Sequence, residues 1–571
     1  MRCPPTSSKS GPGCFRCHAY GAAARRVRGP SGAGYSSCFP ILESPGSLPF
    51  AAMHALSTLL LAVWPAVAAF SVSSTPFALG GWAQPPAQSD SSTEAKDPKP
   101  ALVDERVFSD ATIQTPDGPL EYEYQVGRLV LRTESGDARA AVFYTAYGLE
   151  QPSPFDPGGR PITFCFNGGP GSSSVWLHLG TFGPRRVDLG PEGFDLAPPY
   201  RLVDNPHNLL ALTDLVFVDP VTTGYSRPAE GVANSEFHGV LQDVETMGEF
   251  IRLYLTREER WASPVYLAGE SYGTTRAAAL SDHLQSRHGI YPSGLVLVSA
   301  ILNFQTARFD VGNDLAYALF LPSFAATARF HGQLGADVPS ELADFLAEVE
   351  AFASGDYTLA LMAGDRLSQA ERRAVAERLA RYTGLDADWI ERANLRIDIG
   401  QFTKELLRGD GRTVGRLDAR YLGYDRDAVG ERFEYDPSYA AIQGPYSMAQ
   451  NHYVRVELGY KSDLPYEILT GRVQPWDYSS VQNQYLNVGE NLRRAMVKNP
   501  SLRVFVANGY YDLATPYFAT HYTFDHLHLP EALRGNVTMG HYESGHMMYV
   551  RVPDLEKLRR DLGDFYAAGP R

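Results

Sequence analysis

Between residues 119 and 147 the chain alternates apolar and polar positions, and LEYEYQV, RLVLRT and AAVFYTAYG form three short runs rich in β-branched and aromatic residues. Such alternation marks half-buried strands, and their close succession predicts an antiparallel meander. Farther on the pattern changes to compact apolar blocks bounded by turns: ITFCF at 162, DLVFVD at 214, PVYLAG at 264, GLVLVSA at 294 and RVFVAN at 503. Uninterrupted apolar blocks suit strands covered on both faces, as in a parallel sheet.

Helical periodicity falls between these blocks where parallel strands require crossovers. Over residues 235–255, Phe237, Val240, Leu241, Val244, Met247, Ile251 and Tyr254 recur at helical spacing and predict one apolar stripe for packing on the sheet. TTRAAALSDHLQSRHG, after PVYLAGES, predicts a second helix with Gly289 as its stop. The expected class is therefore α/β, with a mostly parallel central sheet flanked by helices. Residues 305–450 interrupt the strand pattern with SELADFLAEVEAFA and SQAERRAVAERLARYTG, and Ser368 with Glu371 forms a capping-box signature. We read 106–304 and 451–571 as two parts of one core, and 305–450 as a mainly helical cap inserted between them to shape access to the site.

The first hundred residues differ. Residues 1–52 are rich in Gly, Pro, Ser and Arg and hold four of the five cysteines, as expected of a disordered or untranslated leader. Residues 53–68, from Met53 through HALSTLLLAVWPAVAA, have the length and small-residue ending of a signal peptide, although the segment before the apolar run offers only His54 as a basic group. This reading predicts export, to the outside of the cell or the periplasm. Residues 69–105 read as a flexible linker. No later run approaches the roughly 20 apolar residues of a membrane span, so no stable membrane anchor is expected. Cys14, Cys17 and His18 match the short CxxCH pattern for haem attachment, but they precede the expected signal segment and nothing around them predicts helices to enclose a haem. Beyond the leader only Cys165 remains, which rules out an intrachain disulfide there.

The net charge of −14 hides a basic leader; residues after 52 hold 45 basic and 64 acidic groups, a net −19. That balance argues against a nucleic-acid surface.

Candidate chemistry centres on GESYG, Gly269–Gly273, which fits G-x-S-x-G. Between a buried strand and a helix, this pattern lets the backbone turn sharply and project the hydroxyl of Ser271 above the sheet. A serine hydroxyl needs a histidine base and an orienting carboxylate to act as a nucleophile, and this sheet class supplies them in the order Ser, acid, His. Asp512, in GYYDLATP after RVFVAN, and His546, in YESGHMMYV, occur in that order. One oxyanion donor would be the N–H of Tyr272, and FNGGPGSSS after ITFCF offers the N–H of Gly169 as the second. That glycine loop lacks the lysine of a phosphate-binding loop. In HYTFDHLHLPE, His521, Asp525, His526 and His528 do not set three ligands on one helix face, and we read them as a polar surface turn. Serine chemistry requires neither metal nor cofactor.

FNGGPGSSS, FVDPVTTGYS, GESYG, NGYYDLATP and SGHMM, in this order from about residue 120 to the end, resemble the signature blocks of the serine carboxypeptidases, an α/β-hydrolase family. The resemblance implies Ser271 as nucleophile, His546 as general base and then acid, Asp512 as orienting acid, and Gly169 with Tyr272 as oxyanion hole. It also implies that Asn167, Gly168 and Glu270 hold the terminal carboxylate of a peptide substrate, a protonated glutamate donating to the carboxylate where an ionised one would repel it. A second family glutamate normally precedes the LGP of the next segment; here the segment is LGTFGPRR and Thr181 stands at that position, which leaves Arg185 and Arg186 as alternative carboxylate ligands or as surface charges. The leading expectation is an exported serine carboxypeptidase acting on peptide C-termini. An esterase or acyltransferase on the same scaffold, and a binding protein that keeps only the fold, are the competing readings.

Overall fold

The computed structural model describes residues 102–116, 118–149 and 159–569. The expected leader, the signal segment, the CxxCH motif and nearly all of the expected linker lie outside the described residues.

Nine strands build the main sheet: β1 (Glu105–Thr115), β2 (Gly118–Arg132), β3 (Ala138–Gly148), β4 (Ile162–Phe166), β5 (Asp214–Val218), β6 (Val265–Ser271), β7 (Gly294–Ala300), β8 (Arg503–Gly509) and β9 (Val537–Tyr542). They lie in the order β1-β2-β3-β5-β4-β6-β7-β8-β9, and a two-residue strand, Arg227–Pro228, pairs with β3 as the tenth member. β1, β2 and β3 pair antiparallel, and β3 meets β5 antiparallel. From β5 to β9 every pairing is parallel. This is an α/β-hydrolase sheet, and the five apolar blocks read from the sequence supply five of its six parallel strands.

The antiparallel half departs from expectation in two ways. LEYEYQV and RLVLRT join into the single strand β2, running through Gly127 without a break. The glycine is a point of contact between strands: a Cβ there would lie 1.9 Å from the carbonyl oxygen of Glu105 on β1. β1 itself, ERVFSDATIQT, is mostly exposed and so polar that no strand was expected there. β9, VTMGHY, likewise lacked an apolar block.

Helix α1 (Val240–Arg257) crosses from β5 to β6, and α2 (Tyr272–His283) follows β6. Phe237, Val240, Val244, Met247, Ile251 and Tyr254 are buried against the sheet, as their spacing predicts, but Leu241 falls off the stripe and is 56% exposed. α2 runs into a π-helical turn, Leu284–His288, that ends at Gly289 with φ 66°.

Between β7 and β8 the chain is mainly helical, including helices Leu315–Phe330, Leu342–Phe352, Gln369–Thr383 and Pro437–His452. The capping box of Ser368 and Glu371 is formed in both directions. The first three of these helices hold their own apolar cluster around Phe320, Phe324, Phe345 and Leu379, joined by Tyr511, Leu513 and Tyr517 from the loop and helix after β8. The helical region and the core therefore share buried surface next to Asp512. No described helix is long and apolar enough to cross a membrane.

Substituting Gly127→Ala forces β1 and β2 apart at the Glu105 carbonyl, and overpacking of this kind costs about 1–3 kcal/mol. A drop of that size in the equilibrium urea-unfolding free energy is expected; an unchanged midpoint and slope would show that the edge of the sheet yields freely.

Candidate active site

Ser271 ends β6 and immediately precedes α2, with φ 58° and ψ −128°. That conformation is strained for a residue with a side chain, at about 1–3 kcal/mol, and is held only because its surroundings permit no other path. The flanking glycines show why. A Cβ at Gly269 would lie 2.1 Å from the carbonyl oxygen of Gly273, and one at Gly273 would lie 2.4 Å from that of Phe166. The turn therefore folds back on itself and against the end of β4 with no room for another carbon atom. The hydroxyl is carried above the carboxyl edge of the parallel strands, where open α/β sheets place their sites.

The glycine loop after β4 packs onto this turn. A Cβ at Gly168 would come within 2.4 Å of the Tyr272 nitrogen and 2.9 Å of the Ser271 Cβ. Gly169 has φ +103°, a value open to glycine at little cost. The loop is anchored from beneath by Arg276 of α2, whose Nη1 donates to the Asn167 carbonyl at 2.7 Å and whose Nε donates to Asp243 of α1 at 2.7 Å. Both partners of this ion pair are buried, so removing either leaves an uncompensated charge, at a cost of about 3–5 kcal/mol. The two glycine-bearing segments that were expected to supply oxyanion donors, at Gly169 and Tyr272, thus lie together.

Asp512 follows β8 and is completely buried. Its Oδ1 accepts from the backbone N–H groups of Ala514 (2.7 Å) and Thr515 (3.0 Å), and its Oδ2 accepts from the Thr515 hydroxyl (2.7 Å). The same Oδ2 lies 2.8 Å from Nδ1 of His546. Burial opposes charge on His546, but the adjoining Asp512 carboxylate overcomes it and raises the imidazole pKa above its usual value. His546 is fixed through its main chain as well, its N–H donating to Leu417 O at 2.7 Å and its carbonyl accepting from the Ser299 hydroxyl at 2.7 Å.

Ser271 and His546 line one cavity of about 360 Å³ together with Gly168, Gly169 and Glu270. Trp176, Tyr439, Ile442 and Leu469 provide apolar walls. A cavity of about 410 Å³ lies instead beside Ile162 and Asp214, at the amino ends of the parallel strands, and is lined by none of the candidate site residues.

The expected carboxylate-binding residues part company. Glu270 forms cavity wall, and its carboxyl is pushed up to about 7, chiefly by burial, against the pull of His546 and of a hydrogen bond from Tyr549. Asn167 is fully buried outside the cavity lining: its Oδ1 accepts from Leu177 N–H at 3.1 Å, while its Nδ2 sits near enough to Glu270 to favour the carboxylate but makes no hydrogen bond of acceptable geometry. A buried donor left open costs about 1–3 kcal/mol and is poised for an acceptor.

Thr181 lies in a buried π-helical turn, His178–Phe182, and its carbonyl accepts from Asn205 Nδ2 at 2.6 Å. The partner that Glu270 does have comes from elsewhere: the phenol of Tyr549 donates to its Oε2 at 2.5 Å. Tyr549 stands three residues beyond His546, in the short 3₁₀ turn Met548–Val550, and fits because Gly180 has no side chain; a Cβ there would lie 2.3 Å from the Tyr549 ring.

Arg185 and Arg186, the alternative carboxylate ligands, do not line the cavity. Arg185 pairs with Asp204 and, at 3.2 Å, with Glu457; Arg186 is 4.0 Å from Asp188. Both sit on the short hairpin of Arg185–Asp188 with Arg201–Asp204, which places them outside the site. The cation that does line the cavity is Arg416, from the helical region, and no sequence motif marks it.

In the histidine-rich segment, His521 faces His541 of β9 with their Nε2 atoms 2.8 Å apart, while Asp525, His526 and His528 are exposed. Among the described residues no group of three or more His, Cys, Asp or Glu side chains is placed to hold a metal ion.

Sheet order and the strand-to-helix turn at Ser271 together define an α/β-hydrolase fold. Residues 126–300 match the peptidase S10 family, described as serine carboxypeptidase. It is similar to carboxypeptidase Y of Schizosaccharomyces pombe, with 27% identity over 193 residues covering 32% of this chain and 17% of that protein. Carboxypeptidase Y of Candida albicans is 35% identical over 164 residues, 28% of this chain and 25% of that protein. The matched region thus spans a quarter or less of these two relatives. Among solved structures, a thermophilic esterase from Thermogutta terrifontis overlays with a TM-score of 0.29 and 13% identity, over 81% of this chain and 98% of that one.

Substituting Tyr549→Phe removes the phenol that favours the Glu270 carboxylate, so protonated Glu270 should persist to higher pH, by about one unit or more for a lost charged hydrogen bond. Infrared titration of the buried carboxyl band, assigned by its loss in Glu270→Gln, measures this; a shift to lower pH would contradict the assignment of the phenol as donor.

Proposed function

We propose that the protein is a serine carboxypeptidase that releases C-terminal residues from peptides through an acyl-enzyme. The observation that carries this reading is the single cavity lined by Ser271, His546 and Glu270, with Asp512 hydrogen-bonded behind the histidine. In the proposed reaction His546 Nε2 takes the proton of the Ser271 hydroxyl as its Oγ attacks the scissile carbonyl. The developing oxyanion is received by the N–H groups of Gly169 and Tyr272, each such donor contributing about 2.7–4 kcal/mol. Collapse of the tetrahedral intermediate breaks the C–N bond as His546 returns the proton to the leaving amine. Water then enters, deprotonated by His546, and releases the peptide acid from Ser271.

Removal of single residues follows from spacing. Glu270 adjoins the nucleophile in sequence, and one extended residue spans only about 3.3–3.6 Å, so a terminal carboxylate held at Glu270 leaves room for little more than one residue beyond the scissile bond. Protonated Glu270 would donate to that carboxylate, with Gly168 N–H and the open Asn167 Nδ2 as further donors. Export of the chain through the segment beginning at Met53 belongs to the same proposal.

The esterase or acyltransferase reading has one observation in its favour: Thr181 replaces the second acid and Asn167 is withdrawn from the cavity surface. Mass spectrometry of N-blocked peptides with free or amidated C-termini separates the two. Stepwise loss of single residues from free-acid peptides is expected, and should be absent in Ser271→Ala. Because Glu270 loses its proton as pH rises through about 7, KM for free-acid peptides should climb above that pH while KM for an uncharged ester stays level. Ester hydrolysis dependent on Ser271 with no peptide cleavage would overturn the carboxypeptidase reading.

A further inference from the structure

Arg416 is the sole Lys or Arg among the described residues that line the catalytic cavity. Its backbone is held on every side. The Arg416 N–H donates to Asp436 Oδ1 at 3.1 Å, and its carbonyl accepts from Leu513 N–H at 3.0 Å, directly beside Asp512. The next residue, Leu417, accepts from His546 N–H at 2.7 Å and donates to the Ser438 hydroxyl at 3.0 Å. One residue farther, Asp418 Oδ2 accepts from Gly545 N–H at 3.1 Å, and Arg420 Nη2 donates to the Ser544 hydroxyl at 2.8 Å. The segment bearing Arg416 is thus stitched to both loops that carry the acid and the histidine.

The guanidinium itself has no such ties. Arg416 is exposed, and among the described residues its side chain makes no hydrogen bond or ion pair. Most arginines of the helical region are paired, as Arg373, Arg381, Arg396 and Arg420 are. The nearest acid of the cavity wall, Asp436, has its Oδ1 occupied by Arg416 N–H, Ser438 N–H and the Ser438 hydroxyl at 2.5 Å. The Arg416 charge nevertheless reaches the catalytic histidine, where it disfavours the imidazolium. A rigid backbone that delivers an unpaired, bidentate-capable cation to a cavity otherwise bearing Glu270 and Asp436 is arranged to receive an anion of the right shape.

We propose that Arg416 is a specificity-determining residue that binds a carboxylate of the substrate in the catalytic cavity, supplied by the chain terminus or by an acidic side chain next to the scissile bond. The inference rests on the reading of Ser271 as the nucleophile, and it does not require that the substrate be a peptide. It supplies the positive charge that Arg185 and Arg186, which do not line the cavity, leave unprovided there.

The test compares wild type with Arg416→Gln and Arg416→Lys on two matched series. The first is p-nitrophenyl acetate against p-nitrophenyl hemisuccinate; the second is N-blocked peptides ending in Asp or Asn, each as free acid and amide. In Arg416→Gln the ratio of kcat/KM for carboxylate-bearing over neutral substrates should fall about ten- to a hundred-fold, mostly through KM, as expected for losing a charge-assisted hydrogen bond. Arg416→Lys should recover part of it. A loss confined to free-acid peptides identifies the terminal carboxylate, and one that follows Asp over Asn identifies the side chain. Loss of the hemisuccinate preference supports the inference even where wild type cleaves no peptide, which would overturn the carboxypeptidase reading alone. Ratios unchanged within two-fold in Arg416→Gln, with wild type active on either series, would overturn the inference.

Discussion

Close packing of main chain around Ser271 is the constraint on which the rest of the site depends. Gly168, Gly269 and Gly273 each occupy a place where a Cβ would come within 2.4 Å of a backbone atom. Their absence of side chains lets the end of β4, the end of β6 and the start of α2 converge on one point, and that convergence imposes the strained serine. Strain of this kind persists only where the surroundings are stiffer than the residue. Here the stiffness comes from a parallel sheet buried on both faces and from the Arg276–Asp243 pair beneath the glycine loop, which ties α2, α1 and the loop into one unit.

Electrostatics in the cavity follow from what lies buried next to what. Asp512 spends its lone pairs on three local donors and on the imidazole, so it orients His546 while being oriented itself. Glu270 has one phenol and one near but unbonded amide for company, and burial therefore dominates its titration. Thr181, which stands where the resemblance led us to expect a second acid, does not line the cavity, and the hydrogen-bond partner of Glu270 is the phenol of Tyr549. A phenol whose own pKa is driven far up by burial keeps its proton and stays available as a donor to the carboxylate, whereas two carboxyls must share one.

The sequence made the parallel half of the sheet legible because burial on both faces leaves unbroken apolar blocks such as ITFCF and GLVLVSA. The candidates Ser271 and Asp512 were legible because each follows an apolar strand block, and His546 because it comes after them, in the order Ser, acid, His, within the turn-rich YESGHMMYV. β1 was hidden by its exposure: an edge strand with one wet face needs few apolar residues. Gly127 misled for a related reason, since a glycine demanded by a neighbouring strand looks the same in sequence as one demanded by a turn. Tyr549 and Arg416 were illegible for a different cause. The first reaches Glu270 only because Gly180, far away in sequence, leaves room for its ring, and the second reaches the cavity only through hydrogen bonds to loops that follow β8 and β9. Leu241 shows the limit of periodicity: it adjoins Val240 in sequence, yet one residue along a helix turns its side chain off the buried stripe.

The segment 416–420 carries a consequence for how this molecule can diverge. Its backbone and side chains are bonded to Leu513, Ser544, Gly545 and His546, so the helical region does not rest on the core as a separable lobe at this seam. The helices from 315 to 405 meet the core a second time through Tyr511, Leu513 and Tyr517, beside Asp512, while their outer faces are free to change. The seam is not: any drift in it displaces the imidazole. Change in this scaffold is thereby channelled into side chains on a fixed strip of backbone and into the outer faces of the helices beyond it.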